Sequence, residues 1–425
     1  MKIPHLRWLI AFLLFLAALL NYIDRSVLGL LAPTIQADLG IDDQHYAAVI
    51  NCFLMAYVIA YLLSGRIVDK LGVRLSMALF IAWWSISNAL TGLARSVQSL
   101  SVYRFMLGLG EAGGFTASPK AVSEWFPASE RGIAVGLYSL GGAAGATVAP
   151  ILVSLIAMRY GWRWVFALSP VLAGFWLILW LWLYKPPMEH PYLTQKERDY
   201  LTQHLDAPAP PPASKESAAG LWSKVLRDPR VWLLMLGRLL TDPIWYFYQF
   251  WMPKYLHTAR GLTQGELAIM WMIFLASDIG FLSGGFLSGW LIKRGSPAPL
   301  GRLRIMLVCA CLVPLAFFIP TAPTTILVIG LSMVIVCAHT AWLSNITSLA
   351  VDLIPKPILG TAFGVIACGS VLGGIAMNQA VAWLVSRHSY ANCFYLMAFA
   401  HPIAIAVLWR IGRPSPQQLE EAQAS

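Results

Sequence analysis

The sequence predicts an all-α membrane protein that crosses the bilayer twelve times in two six-helix halves. Of its 425 residues, 58% are hydrophobic and only 12% are charged, whereas soluble domains carry roughly 25% charged residues. Apolar runs recur at regular intervals, and each is long enough for a spanning helix, which needs roughly 20 apolar residues. One long polar stretch near the middle of the chain separates these runs into two sets of six.

The first six predicted spans cover residues 8–31, 45–68, 76–95, 98–121, 132–157 and 162–185. The second six cover residues 230–256, 265–292, 303–320, 324–350, 358–386 and 391–411. The first run does not read as a cleaved signal peptide, because it lacks a small-residue cleavage site and carries Asp24 and Arg25 near its end.

These spans predict an N-terminal half at residues 1–185, a cytoplasmic connector at 186–229, and a C-terminal half with a short cytoplasmic tail at 230–425. The connector holds a proline-rich tract that begins at Asp206. Proline disfavours a continuous helix there, and we expect a semi-rigid, solvated linker.

Basic residues predict the orientation of the chain. The loop after the first span has acidic but no basic residues, whereas Arg66, Lys70 and Arg74 follow the second span. Because basic loops mark the cytoplasmic side, both termini and the connector should be cytoplasmic. The second half follows this pattern less regularly, since Lys254 and Arg260 fall in a predicted external loop.

Charges inside the spans point to chemistry within the membrane. Asp24 and Arg25 interrupt the first span, and Arg104 and Glu111 lie in the fourth. Each such charge costs on the order of 3 kcal/mol, so it normally faces a partner or a water-filled cavity. Arg104 and Glu111 are seven residues apart and share a helix face, roughly 10 Å apart along the axis. The pattern favours proton and anion handling, with static ion pairs as the alternative.

Other classes of function have little support. The net charge of +10 has no exposed basic domain to carry it, so nucleic acid is not an expected partner. The six cysteines lie in apolar runs without metal-ligand spacing. No nucleophile elbow, phosphate loop or zinc pattern is present. We therefore expect no enzyme activity, no catalytic residues, no cofactor and no metal.

The loop after the second span carries the sharpest motif. Gly65, Asp69, Lys70, Gly72 and Arg74 fit the pattern G-x-x-x-D-[RK]-x-G-x-[RK], which resembles the signature of the major facilitator superfamily. The resemblance implies a conformational latch and the twelve-helix major facilitator fold. We expect the first glycine to allow close helix contact, the second to form a tight turn, and the aspartate to pair with a base.

Five further motifs occur in order along the chain, at residues 21–25, 104–111, 125–132, 240–256 and 276–280. Together they resemble the anion:cation symporters of that superfamily, in particular the hexuronate branch. A degenerate copy of the latch loop lies at residues 289–295. The resemblance implies import of sugar acids such as glucuronate, galacturonate, galactonate or glucarate together with protons. It also adds Glu130 and Arg131 to the latch.

The first half supplies the predicted charge and proton site. Arg25 is the expected carboxylate ligand, because a guanidinium binds a carboxylate bidentately. Tyr22 lies near the same face, and Tyr57 matches a substrate-facing tyrosine of the family, with helix packing as the alternative for both. Asp24 and Glu111 match the two family carboxylates whose protonation is coupled to transport. Arg104 is expected to bias the protonation of Glu111.

The second half supplies the predicted sugar site. Trp245 and Gln249 are one helical turn apart and could stack on a ring and bind a hydroxyl, with bundle packing as the alternative. Pro243 should break the helix. The preceding pair, Arg238 and Asp242, could instead form a simple intrahelical ion pair.

The remaining candidate residues come from later spans and from span 5. Trp342, Ser344 and Asn345 resemble a hexuronate-carrier pattern in span 10, and Ser370 lies in span 11. His339 reads as a core histidine rather than a proton carrier. The glycine-rich run at residues 139–145 replaces a glutamine of aldonate carriers, which we expect to leave room for a ring-form uronate.

The predicted function is proton-coupled secondary active import of a sugar-acid anion, in the first place a hexuronate, by alternating access. Alternatives are an aldonate or glucarate symporter of the same family, or a proton-driven exporter of another small organic molecule. The expected partners are the anion, the proton and the lipid bilayer. We expect a monomer in the bacterial inner membrane.

Overall fold

The computed structural model describes residues 2–205, 218–355, 358–387 and 389–410, and these residues are almost entirely helical. Their sixteen α-helices are α1 Leu6–Leu30, α2 Ala32–Leu39, α3 Asp43–Thr91, α4 Val97–Trp125, α5 Ala128–Tyr160, α6 Trp162–Leu183, α7 Gln195–His204, α8 Ala218–Arg227, α9 Pro229–Thr241, α10 Pro243–Phe250, α11 Met252–Arg260, α12 Met270–Lys293, α13 Ala298–Leu312, α14 Thr325–Leu353, α15 Leu359–Arg387 and α16 Ala391–Leu408. Short 3₁₀ helices occur at Pro187–Glu189, Glu266–Ile269 and Val313–Phe318.

Nine helical stretches within the described residues are long and apolar enough to cross a membrane. The all-helical membrane class is therefore confirmed. Predicted spans 2 and 4 miss this criterion, and the helix of span 4, α4, carries Arg104, Glu111, Lys120 and Glu124. Span 7 misses it because the chain there is divided among the short helices α9, α10 and α11.

The second and third predicted spans lie within Asp43–Thr91 as two helices that meet at Gly72, where the sequence predicted a tight turn. Gly72 is the one break in this stretch, with φ 74° and ψ 164°. Side chains other than glycine rarely adopt such a φ, which explains why a glycine occupies this position. The tight turn replaces a longer connection.

Two prolines mark the interruptions of span 7. Pro243 opens α10 immediately after Asp242, where a residue without a backbone N–H is tolerated. Pro253 lies near the start of α11, just after Trp251. The indole Nε1 of Trp251 donates to Oδ1 of Asn378 on α15 at 2.9 Å, so this break is held by a buried hydrogen bond.

The chain forms two compact units. Unit 1 comprises Met1–Ala213 with Leu256–Trp271, and unit 2 comprises Ser214–Tyr255 with Met272–Ser425. The sequence-based division into two halves and a connector stays a prediction. The proline tract that begins at Asp206 and the tail after residue 410 lie outside the described residues.

The first part of the connector packs onto unit 1 through a buried acid. The Glu197 carboxylate accepts the backbone N–H groups of Leu6 at 3.0 Å and Arg7 at 3.3 Å. It also accepts the Arg7 guanidinium at 2.9 Å, and the same guanidinium reaches Glu130 at 2.9 Å. A negative charge at a helix N-terminus compensates the helix dipole and the unpaired N–H groups. Helix α1 therefore begins under a cap supplied by α7.

His190, in the same segment, is fully buried. Its Nδ1 accepts the backbone N–H of Tyr192 at 3.2 Å, so its Nε2 carries the proton and donates to the Leu183 carbonyl at 2.7 Å. The Trp125 ring packs edge-on against the imidazole at 5.6 Å. Burial lowers the pKa of His190 below its ordinary value of 6.5, and the neutral ring fits both of its hydrogen bonds.

We predict that His190 makes the protein less stable in acid. The unfolded chain takes up a proton at this residue below about pH 6.5, whereas the folded chain resists it. The stability contributed by His190 is thus fully present above that pH and declines as the pH falls. Thermal unfolding of the purified protein between about pH 8 and pH 5 should show this decline, and His190→Asn should reduce it.

The control is His204→Asn, which removes an exposed histidine of α7 and should keep the wild-type pH dependence. A constant difference in Tm between wild type and His190→Asn across this pH range would contradict the prediction.

Candidate functional site

The candidate site lies inside unit 1, where α1, α3, α4 and α6 bring their buried polar residues together. These residues form two groups. The Arg25 cluster consists of Asn21, Arg25, Tyr57 and Glu111. The Asp24 cluster consists of Asp24, Asn88 and Ser169.

In the Arg25 cluster, one carboxylate oxygen receives three hydrogen bonds. Nε and Nη2 of Arg25 each donate to Oε2 of Glu111 at 3.3 Å. The Tyr57 hydroxyl donates to the same oxygen at 2.7 Å. Arg25 Nη2 also donates to the Tyr57 hydroxyl oxygen and, at 3.4 Å, to Oδ1 of Asn21. The cluster therefore joins α1, α3 and α4 through a single ion pair.

Because this ion pair is buried, its two charges are stable only while they remain in contact. Glu111 is fully buried, and the Arg25 side chain is 15% exposed. The guanidinium carbon of Arg25 lies 5.1 Å from the ring centre of Tyr22 and 4.8 Å from that of Tyr57, within cation–π range. Removing one partner of a buried pair leaves an uncompensated charge and costs about 3–5 kcal/mol. A ligand that binds Arg25 in place of Glu111 therefore leaves the Glu111 charge to be compensated in another way.

The Asp24 cluster faces a different direction. Asp24 accepts Nδ2 of Asn88 at 2.9 Å and the hydroxyl of Ser169 at 2.7 Å, one bond on each carboxylate oxygen. Among the described residues, no lysine or arginine forms an ion pair with Asp24. Consecutive helical residues point about 100° apart, so Asp24 and its neighbour Arg25 enter separate clusters.

Arg104 does not form the pair with Glu111 that their shared helix face suggested. The Arg104 guanidinium is fully buried over the Phe53 ring at 4.9 Å, and its nitrogens have no hydrogen-bond partner among the described residues. Seven residues along one helix separate side chains by roughly 10 Å, beyond contact distance. Glu111 instead meets Arg25 because α1 packs beside α4. Asn88 and Ser169 were missed, although a polar residue within an apolar span is a recognisable signal.

The glycine run of α5 does not leave the open space that the sequence suggested. A Cβ at Gly141 would stand 2.1 Å from the carbonyl oxygen of Phe15, and a Cβ at Gly145 would stand 2.4 Å from that of Leu19. At Gly142 it would meet the Tyr22 ring at 2.7 Å. The missing side chains are thus replaced by the backbone of α1. The run brings α1, with its charged residues, close to α5.

The predicted latch residues all belong to unit 1. Lys120 donates to Asp69 at 2.7 Å, and the Arg74 guanidinium donates to the Leu181 carbonyl. The expected close contact at Gly65 is absent, since no heavy atom of the described residues lies within 4 Å of a Cβ built there. That glycine faces outward.

The other latch residues make contacts of their own. Lys70 is exposed. Glu130 accepts Arg7 and, at 3.0 Å, the hydroxyl of Tyr200 on α7. Arg131 donates to the Phe126 carbonyl at 3.0 Å, so it fastens the turn between α4 and α5.

The span-10 candidates are packed between helices of unit 2. Trp342 is fully buried with its ring 4.8 Å from that of His401. Asn345 donates to the carbonyl of Gly284 on α12 at 3.0 Å. Ser344 donates to the Ala341 carbonyl of its own helix at 3.0 Å. In this structure Trp342 and Asn345 contact neighbouring helices, whereas Ser344 bonds within its own helix.

The span-7 candidates have a mixed environment. Trp245 is half-buried, and its ring meets Phe274 of α12 edge-on at 6.0 Å. Gln249, one turn further, is 3% exposed. Arg238 and Asp242 form the intrahelical ion pair at 2.8 Å that was one of the two expectations.

Two further polar residues of unit 2 complete the set. Ser370 on α15 is half-buried. His339 is buried, as expected for a core histidine, and its Nδ1 lies 3.3 Å from Nε2 of His401.

Apolar helices long enough to cross a membrane, with ionisable groups buried among them, are typical of membrane transporters. Residues 14–377 match the family model of the Major Facilitator Superfamily, and the chain belongs to that family. It is therefore a multi-pass membrane transporter with the major facilitator fold, and not an enzyme.

Three known proteins illustrate the similarity. The hexuronate transporter of Escherichia coli (strain K12) is 30% identical over 432 residues, which cover 99% of this chain and 97% of that protein. The galacturonate transporter of Dickeya chrysanthemi is 34% identical over 287 residues, covering 67% of this chain and 82% of that protein. The crystal structure of a bacterial homolog to the human lysosomal transporter Spinster matches with a TM-score of 0.76 at 17% identity, covering 99% of each chain. This last similarity concerns the fold.

We predict that Gly141→Ala destabilises unit 1. The new methyl group would meet the Phe15 carbonyl, and α1 would have to move away from α5. Overpacking of this kind costs about 1–3 kcal/mol. The measurement is thermal unfolding of purified protein in detergent.

Gly136→Ala, on the same helix, is the matched control, because no heavy atom of the described residues lies within 4 Å of its Cβ position. It should leave Tm unchanged or raise it, since alanine favours a helix by up to about 1 kcal/mol over glycine. Equal Tm values for the two variants would refute the assigned role of Gly141.

Proposed function

We propose that this transporter imports a sugar-acid anion together with protons by alternating access, and that its first substrates are hexuronates such as glucuronate or galacturonate. The observation that carries the proposal is the Arg25 guanidinium held by Glu111 and Tyr57 inside unit 1. The similarity to a hexuronate transporter and a galacturonate transporter supports the substrate class.

Arg25 is suited to bind the carboxylate of the substrate. Its planar guanidinium can form two parallel hydrogen bonds with a carboxylate. Both of its contacts with Glu111 go to the single oxygen Oε2. A substrate carboxylate would replace that oxygen, and Tyr22 and Tyr57 would continue to cover the guanidinium through their rings.

Competition for Arg25 couples the anion to a proton. While Glu111 is charged, it holds Arg25, and an incoming carboxylate would meet a like charge beside its binding group. Protonation removes the charge of Glu111 and weakens its hold on the guanidinium. The anion therefore binds to the protein in its protonated state. Release of the anion or of the proton then favours release of the other. This reciprocity is the requirement for symport.

Asp24 is proposed as the second titrating group. Its hydrogen bonds come from the neutral donors Asn88 and Ser169. Burial disfavours the charged carboxylate, and no ion-pair partner among the described residues offsets the cost of removing that charge from water. Arg104 is buried on α4 over the ring of Phe53, and we assign it the role of keeping positive charge in this region when Glu111 is neutral.

The latch is proposed to act through the contacts of Asp69 with Lys120 and of Arg74 with Leu181. These contacts would break and reform in each transport cycle. The similar transporters come from bacteria, and we place this protein in a bacterial inner membrane as a monomer with both termini in the cytoplasm.

We predict that Glu111→Gln abolishes concentrative uptake but retains exchange. Glutamine keeps the shape of the side chain and cannot titrate, so the variant should mimic the protonated state and bind the anion without moving a proton. The test uses purified protein in liposomes with radiolabelled glucuronate, measured once with an imposed proton gradient and once as counterflow without one.

Glu124→Gln is the matched control, because Glu124 lies on the same helix but outside the Arg25 cluster. Its carboxylate accepts a hydrogen bond of 2.7 Å from the Tyr184 hydroxyl. It should accumulate substrate like wild type. Accumulation against a gradient by Glu111→Gln would exclude Glu111 as the coupling group.

Efflux driven by inward proton flow in the wild type would instead identify an exporter. Competition by aldonates or glucarate but not by hexuronates would identify the neighbouring substrate class.

We also predict that Arg25→Lys weakens substrate binding by about tenfold or more, although charge is preserved. The ammonium group cannot present the planar pair of donors, and loss of one charge-assisted hydrogen bond is worth about 1.5–3 kcal/mol. The half-saturation concentration in counterflow measures the effect.

Arg159→Lys, in the exposed last turn of α5, is the matching control and should behave like wild type. Wild-type half-saturation in Arg25→Lys would remove Arg25 from the binding site.

A further inference from the structure

The two clusters of unit 1 border different cavities. Asp24 and Ser169 border one cavity, whose remaining wall is formed by apolar side chains of α1, α5 and α6. Asn21 of the Arg25 cluster borders another cavity, together with residues of α3, α4 and α5. None of the described residues borders both. The space beside Asp24, named the Asp24 cavity below, is therefore distinct from the space beside the Arg25 cluster.

The Asp24 cavity fits a single water molecule. Its volume is about 10 Å³, which is about the room that one water needs, provided that at least two polar groups bind it. The Asp24 carboxylate accepts one hydrogen bond from Asn88 and one from Ser169, and an ionised carboxylate can accept about four. The Ser169 hydroxyl oxygen also keeps lone pairs that can accept. Asp24 and Ser169 together thus supply two partners for one water.

Asp24 is the one charged residue among the described residues that border this cavity. Other charged groups face Asp24 from elsewhere: Glu111 and Arg104 act on it through space from α4, and Arg25 follows it on α1. The contact from α3 is the neutral amide of Asn88. A proton that arrives in the Asp24 cavity therefore has the Asp24 carboxylate as its charged acceptor.

We propose that the Asp24 cavity binds one water molecule that passes protons to and from Asp24, and that Ser169 is the positioning residue of this water. The inference rests on the proposed function and names the route by which Asp24 titrates. In the forward step, one O–H bond of the protonated water breaks, and an O–H bond forms on a carboxylate oxygen of Asp24. A neutral water and a neutral carboxyl remain, and release of the proton is the reverse.

Ser169 suits this role in both protonation states of Asp24. A serine hydroxyl can donate and accept, and it rotates to suit its partners. It donates to the charged carboxylate at 2.7 Å, and after rotation it can accept from the protonated carboxyl. The same partners thus serve the charged and the neutral form, and the proton reaches Asp24 without passing the Arg25 cluster. A sugar acid is too large for a cavity that holds one water, so the anion does not share this route.

The first test fills the cavity with Val165→Ile. Val165 borders the cavity from α6, one turn before Ser169, and the added methyl group would displace the water. Proton-driven uptake of radiolabelled glucuronate into proteoliposomes should slow by about tenfold or more, because positioned proton transfer typically contributes at least about a hundredfold. Counterflow without a proton gradient should keep the wild-type half-saturation concentration, since the Arg25 cluster is untouched.

Val171→Ile is the matched control, because Val171 lies on the same helix and is exposed; it should take up glucuronate like wild type. Ser169→Ala is the second variant, since it removes a ligand of the water without adding volume. It should show the same loss of uptake with retained counterflow affinity, and it keeps the test decisive if Val165→Ile does not fold.

The solvent isotope effect separates slow proton transfer from a structural defect. In Val165→Ile and Ser169→Ala, the ratio of the uptake rates in H₂O and D₂O should exceed the wild-type ratio, because proton transfer then limits the cycle. Wild-type uptake in both variants, or a loss of uptake with an unchanged ratio, would overturn the inference. If the wild type shows no proton-driven uptake of sugar acids, or if Asp24→Asn keeps the wild-type pH dependence of uptake, the proposed function fails instead.

A direct observation tests the water site without transport. An experimental density map that resolves ordered waters elsewhere in unit 1 should show one water within hydrogen-bond distance of the Asp24 carboxylate and the Ser169 hydroxyl. In Val165→Ile this density should be lost, and in Val171→Ile it should remain. A wild-type map of that quality without density at this position would overturn the inference.

Discussion

The ion pair between Arg25 and Glu111 sets the conditions for the rest of unit 1. Two opposite charges in an apolar interior are stable only while they remain paired and hydrogen-bonded. The pair joins α1 to α4, Tyr57 supplies a further donor from α3, and the glycines of α5 let α1 lie close enough for this geometry. An event that opens the pair must therefore supply other groups or water to compensate both charges.

The two consecutive residues Asp24 and Arg25 show how one helix serves two environments. Arg25 meets another charge, while Asp24 meets only neutral donors among the described residues. Their hydrogen-bond partners therefore differ, although the two residues are adjacent in sequence. Helical geometry alone produces this separation, since each residue turns the side chain by about 100°.

The sequence was sufficient for most of the fold and for three of the four members of the Arg25 cluster, namely Arg25, Tyr57 and Glu111, whereas Asn21 was missed. Hydropathy located the spans, and charges within them indicated Arg25 and Glu111. It could not indicate that Glu111 pairs with Arg25 rather than with Arg104, because spacing along one helix says nothing about which helices cross. For the same reason the α5 glycines read as open space, whereas they are filled by the backbone of α1. The tight turn expected at Gly72 is the whole connection between the two helices of α3, because a glycine tolerates the positive φ found there.

The capping of α1 by Glu197 has a consequence for the biosynthesis of the protein. The acceptor for the N–H group of Leu6 lies 191 residues later in the chain. The first helix therefore leaves the ribosome with its initial turn uncapped, and it stays so until the chain has been made as far as Glu197. Unpaired N–H groups at that end must bind water in the meantime. Completion of the first helix thus waits for synthesis of the whole N-terminal half.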